Sequence, residues 1–147
     1  MSDERKVPWI DRSVAIAILA SAVVTVWFLH RVTPDARGHG THEQFGMLRC
    51  SWPEQYDAPC PTCGCTTAAA YVVHFSPWDA IVTQPFGALV AIVGLWFAGL
   101  ALYCLIRGES LVERMSLWNF PRIFLLGVAA ALAGWAYKWL TWPSVSG

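Results

Sequence analysis

The sequence predicts an all-α integral membrane protein: three transmembrane helices, a Cys/His-containing extracytoplasmic loop and one or two short surface helices. Three observations carry this reading. A bilayer's hydrocarbon core is about 30 Å thick and takes about 20 apolar residues in helical form. Residues 13–29, 80–106 and 123–142 supply three such runs, the last interrupted only by Lys138. The chain is 56% hydrophobic and only 14% charged, more apolar than a typical soluble domain. Residues 88–105 offer no polar face, which a helix of a soluble bundle needs. The 147 residues form one domain or one membrane-embedded bundle. Zero net charge excludes nucleic-acid binding through a basic surface.

Residues 1–12 read as a short polar cytoplasmic N-terminus, with Trp9 suited to anchor at the interface. The first span is residues 13–30. Ala20-Ser21-Ala22 resembles a leader cleavage site, but the apolar stretch ahead of it is short and continues past it, so the segment reads as an uncleaved anchor. Residues 31–65 are the polar Cys/His loop. Its Pro34, Gly38, Gly40, Gly46, Pro53 and Pro59 exclude a long helix and allow turns. Thr41-His42-Glu43-Gln44 has the form of a capping box, with Gly46 ending the turn.

Residues 66–83 predict short surface helices broken at Ser76-Pro77, with Ser76 as N-cap. Thr67, Ala70, Tyr71 and His74 share one face. Gln84-Pro85 opens the second span, residues 84–106. A cytoplasmic loop, residues 107–120, leads to the third span, residues 121–142, and a tail, residues 143–147. Lys138 is expected to extend its amine outward from the last turns. Gly87, Gly94 and Gly99 in one span, with Gly127 and Gly134 in the next, provide small surfaces for close helix contact.

Orientation follows from basic residues beside short loops. Arg5, Lys6, Arg12, Arg107, Arg114 and Arg122 would gather on one side, against Arg31, Arg37, Arg49 and Lys138 over a longer loop on the other. This puts the N-terminus in the cytoplasm and the cysteine loop outside. Trp9 and Trp118 would then line one boundary, and Trp27, Trp78, Trp135, Trp139 and Trp142 the other.

Reactive side chains crowd only around Cys60-Pro61-Thr62-Cys63-Gly64-Cys65, and three readings stay open for them. The first is a zinc or copper site built from Cys50, Cys60, Cys63 and His42, with Cys65, His39, Glu43 and His74 in reserve. The second is thiol–disulfide exchange, a thiol at a helix N-terminus having a lowered pKa, although no βαβ pattern accompanies the CxxC. The third is a disulfide staple across the Pro-rich loop between Cys50 and Cys60. His74 is expected as a hydrogen-bonded packing residue, and Cys104 as a small apolar one.

No catalytic residue stands out. There is no phosphate loop, HExxH or GxSxG. The spans are too bare of polar residues for transport by this chain alone. The function classes are therefore a metal-binding or assembly module, a disulfide-stapled accessory subunit of a larger membrane complex, or a membrane thiol–disulfide oxidoreductase. The expected partners are the lipid bilayer and such a complex.

Gly38-x-Gly40-Thr41-His42-x-x-x-Gly46, Cys50 and Cys60-Pro61-x-Cys63-Gly64-x-Thr66 together resemble a family of small bacterial membrane proteins known as domain of unknown function 2752. Its hallmark is a CPxCGxTR-like motif ahead of a helix, with Asn-Pro or Gln-Pro opening the next span. Gln84-Pro85 fits that opening, and the resemblance covers residues 39–105. Thr67 departs from the family's Arg, and Cys65 is an extra thiol. The resemblance implies a membrane location and a cysteine site, and it brings no activity; the bacterial inner membrane is the expected location.

Overall fold

The computed structural model describes residues 7–142. Arg5 and Lys6 of the orientation argument, and the 143–147 tail, lie outside the described residues. The chain is an all-α membrane protein, with no strand among the described residues. Its helices are α1 (Trp9–His30), α2 (Trp52–Tyr56), α3 (Cys65–Val73), α4 (Pro77–Thr83), α5 (Pro85–Arg107), α6 (Leu111–Ser116) and α7 (Phe120–Leu140), with a 3-10 turn at Thr41–Phe45. Helices α1, α5 and α7 are long and apolar enough to cross a membrane. At 1.5 Å per residue each is a little over 30 Å long, the thickness to be spanned.

Helix α5 is central and packs against both α1 and α7, while α3 lies across the ends of α1 and α5. The buried residues are mostly small. Ala15, Ala101 and Cys104 meet Leu111 at one end, and Ala68, Ala80 and Ala88 join α3, α4 and α5 at the other. The bulky apolar side chains point outward instead, Phe124 being 70% and Leu125 67% exposed. That inversion suits lipid, where outward apolar groups cost nothing and close backbone approach supplies the packing.

The glycines divide by position. A Cβ on Gly87 would fall 2.7 Å from the Cys65 Cα, and one on Gly134 would fall 2.7 Å from the Phe86 Cβ. Gly94, Gly99 and Gly127 meet nothing within 4 Å. The small-residue surfaces expected from the sequence are thus used only where α3, α5 and α7 converge below the cysteine loop.

Helix boundaries shift where a partner exists. Helix α1 starts at Trp9 rather than at residue 13, taking in Asp11, whose Oδ1 accepts the Val112 N–H of α6 at 3.1 Å. Asp11 is buried, and its place in the first turn also suits the helix dipole. Helix α6 falls inside the 107–120 connection, which had not suggested a helix. Ser110 Oγ caps it by accepting the Glu113 N–H at 3.0 Å. The α5 start is as the sequence predicts: Gln84 is the N-cap, Pro85 follows, and Gln84 Oε1 accepts the Gly87 N–H at 2.9 Å. Ser76 holds the N-cap position of α4 without a capping side-chain bond.

Gly87→Ala should destabilise the folded state by about 1–3 kcal/mol through overpacking against α3. Gly94→Ala, facing open space, should leave it unchanged or slightly improved. Thermal unfolding of the two variants in one detergent measures the difference, and equal midpoints would contradict this packing.

Candidate functional site

The loop between α1 and α3 is held by its own polar groups. Asp35 accepts the Arg37 backbone N–H at 2.9 Å and its guanidinium at 2.7 Å. The hydroxyl of Thr41 accepts the Asp35 N–H at 3.0 Å and pairs with the Thr67 hydroxyl of α3 at 2.8 Å, both threonines being fully buried. The expected capping box does not form. Gly40 is the N-cap, and Gln44 turns away to bond Thr33, donating to its carbonyl at 2.7 Å and accepting its N–H at 3.2 Å. Gly46 does end the turn, in a left-handed conformation with φ 77°.

The last turns of α7 donate to carbonyls of this loop and of α4. Trp135 Nε1 donates to Pro59 at 3.0 Å, and Tyr137 Oη to Val82 at 2.8 Å. Lys138 Nζ donates to Gly38 and to Thr83, both at 3.1 Å. Lys138 therefore does not reach outward as expected: it is 7% exposed, and the two carbonyls offset its lost hydration.

Above Lys138 lies a cavity of about 390 Å³ whose lining includes Cys50, Cys60, Cys63, His42, His39 and Met47. Cys63 is buried, while Cys50 and Cys60 are half-buried. All three are free thiols. Cys60 stands beside both of the others and acts on each. Burial pushes the Cys63 thiol up to about 12, the neighbouring Cys60 adds to this, and the Lys138 charge opposes it. Burial likewise raises Cys50 and Cys65. This reverses the lowering expected for a thiol at a helix N-terminus. Helix α3 begins only at Cys65, so Cys63 precedes its first turn and desolvation dominates.

The predicted ligands Cys50, Cys60, Cys63 and His42 share this cavity, and His39 and Glu43 join them. Burial holds His39 below the usual imidazole value, its Nδ1 lies 3.0 Å from the Arg37 carbonyl oxygen, and its ring leans on Trp142. The other reserves are elsewhere. Cys65 lines an apolar groove between α1 and α5. His74 Nε2 lies 2.9 Å from the Val32 carbonyl oxygen and its ring stacks on His30, the packing role expected of it. Among the described residues, no three Cys, His, Asp or Glu side chains stand ready around a common point. Sequence reasoning missed Met47, Arg37, Arg49 and Glu54 on the cavity wall. The only signal for them was their place between the cysteines and the glycines.

At pH 7.5 Cys63 should be protonated and shielded, so a water-soluble alkylating reagent should modify it far more slowly in the folded protein than after unfolding. Its rate in the folded state should climb with pH up to about 12. Mass-spectrometric timing of the labelled peptide checks this, and equal rates folded and unfolded would contradict the burial.

Residues 50–98 match the family described as a protein of unknown function (DUF2752). No curated protein and no solved structure matches the chain. The matched segment begins at Cys50, so the upstream Gly38 to Gly46 motif lies outside it. It takes in α2, the cysteine turn, α3, α4 and more than half of α5. The matched segment supplies all three cavity thiols and opens the central span, and it is similar to that family.

Proposed function

We propose that this chain is a small inner-membrane protein that presents a thiol-based metal site on the extracytoplasmic side, binding a thiophilic ion of the zinc or copper kind. Cys50, Cys60 and Cys63 are the sulfur ligands and His42 the imidazole. The observation that carries the reading is the gathering of three free thiols from two separate turns onto one cavity. The buried Lys138 supports it: its hydrogen bonds go to carbonyls and none to a carboxylate. A complex of thiolates above it would supply the missing negative charge. The side of the membrane rests on the distribution of Arg107, Arg114 and Arg122 against Arg31, Arg37 and Arg49.

A second reading is favoured by the shared cavity of Cys50 and Cys60, both free thiols. Oxidation of that pair would close the intervening loop and stabilise it by about 2–4 kcal/mol. The oxidoreductase reading is weaker, because Cys63, held as a thiol, is a poor attacking group at neutral pH.

Protein purified without exposure to oxidant separates these. Elemental analysis should give one metal ion per chain, and Cys60→Ser should lose it. Thiol titration of denatured protein should then count five free cysteines with or without reductant. Absence of metal, together with two thiols appearing only after reduction, would replace the metal site by the Cys50–Cys60 staple.

A further inference from the structure

The groove that Cys65 enters is separate from the thiol cavity. It holds about 450 Å³ and runs between α1 and α5, with α3 supplying a third wall at the end nearest the cysteine loop. On α1 the wall is Ile18, Ala22, Thr25 and Leu29, at the three- and four-residue spacing of one helix face. On α5 it includes Gly87, Ala91 and Gly94, and a Cβ on Gly94 would meet nothing within 4 Å. The groove is thus space left by short side chains. Val90 and Gly94 stand exposed along it, so it opens sideways to the bilayer.

Packing sets both of its ends. Away from the loop, α1 and α5 come together, Ala15 being buried in one cluster with Ala101 and Cys104, and Ile18 packing against that cluster. Toward the loop, α3 rests on both spans: Ala69 and Val73 pack about Leu29, and Cys65 meets Gly87. The lined stretches, 18–29 of α1 and 86–97 of α5, are each about 16–17 Å long at 1.5 Å per residue. One leaflet of a hydrocarbon core about 30 Å thick measures about 15 Å.

That length chooses the occupant. A helix of a partner or of a second copy crosses the whole core and needs a seat along the whole span. This groove stops at mid-depth, against the cluster around Ala15. An acyl chain enters from one leaflet and ends at the midplane. The lining suits it: no lining residue is charged, and Ser21 Oγ already donates to the Ile18 carbonyl at 2.8 Å. An unfilled groove would forfeit the dispersion contacts of its walls, which a flexible row of methylenes restores.

We infer that the groove is an acyl-chain site. One tail of a phospholipid from the leaflet on the cysteine-loop side lies between α1 and α5, its methyl end beside Ile18 and Phe97 and its carbonyl end beside Val73 and Phe86. The tail is held without a covalent bond and completes the packing of α3 on the two spans.

The test uses the full chain in phosphatidylcholine vesicles containing a trace of the same lipid with a diazirine in one tail, placed either near the terminal methyl or near the carbonyl. After illumination, crosslinked residues are mapped by mass spectrometry in the native protein, Gly94→Trp and Ala22→Leu. The two variants fill the groove from opposite walls, so either one serves if the other fails to fold, and the native depth map needs neither. Val128 and Leu132, exposed on α7 and outside the groove, report the bulk lipid. In the native protein the methyl-end probe should label 18–22 and 94–97, and the carbonyl-end probe 69–73 and 86–90, each more strongly than α7. In the folded variants groove labelling should be lost while α7 labelling stays. Groove labelling no stronger than that of α7, labelling without order in depth, or labelling that both folded variants leave unchanged would overturn the acyl-chain site. So would a native groove that stays unlabelled while light scattering shows a dimer that Gly94→Trp or Ala22→Leu converts to monomer, which would give the seat to a second copy.

Discussion

The Nζ of Lys138, close to the end of the third span, donates to the carbonyls of Gly38 and Thr83, one in the thiol loop and the other at the last residue of α4. Those carbonyls lie 100 and 55 residues away along the chain. Leaving a buried carbonyl unpaired costs about 1–3 kcal/mol. Trp135 and Tyr137, on the same stretch of α7, add bonds to Pro59 and Val82. The end of α7 is therefore a row of donors aimed at carbonyls of the loop and of the end of α4. This docks an otherwise irregular segment onto rigid helices.

The cysteine turn is shaped for close approach to the rest of the loop. Gly64 has φ 88°, a left-handed conformation favourable only to glycine, and a Cβ there would fall 2.6 Å from the Gly38 carbonyl oxygen. The glycine after the CxxC thus lets the two halves of the loop touch, with Lys138 beneath both. The Thr41–Thr67 hydroxyl pair closes the contact from the other side. Gln84, fully buried below the turn, caps α5 and fixes where the central span begins. Gly87 then lets the start of α3 rest directly on α5. Together these contacts make the thiol site an extension of the spans rather than a separate loop.

The three spans were legible because hydropathy in a bilayer is a local property: a run such as 88–105 needs no partner to declare itself. The start at Gln84-Pro85 was legible for the same reason, as capping is local. The CxxC and its company of Cys50 and His42 could be read as one constellation, and they share the cavity. Lys138 could not be read. An interior lysine looks like a snorkelling one until the carbonyls that bind it are known, and these are remote in sequence. Thr41 was assigned to a local cap for the same reason, its true partner being Thr67. His74 and Cys65 had seemed near enough to serve as ligands. The start of α3 and its course across the bundle separate them from the cavity. Helix α6 did leave a signal, Ser110-x-x-Glu113, but it was lost in a connection too short to attract notice.

Amide hydrogen exchange on the native protein and Lys138→Met, in the same bilayer mimic, tests most directly whether the buried ammonium fastens the loop to the spans. Protection should fall at residues 38–41 and 60–68 in the variant, while the amides of α5 beyond Val90 keep theirs. Unchanged protection in both loop segments, with the variant folded, would show that the thiol site stands without Lys138 and would contradict its place at the centre of this structure.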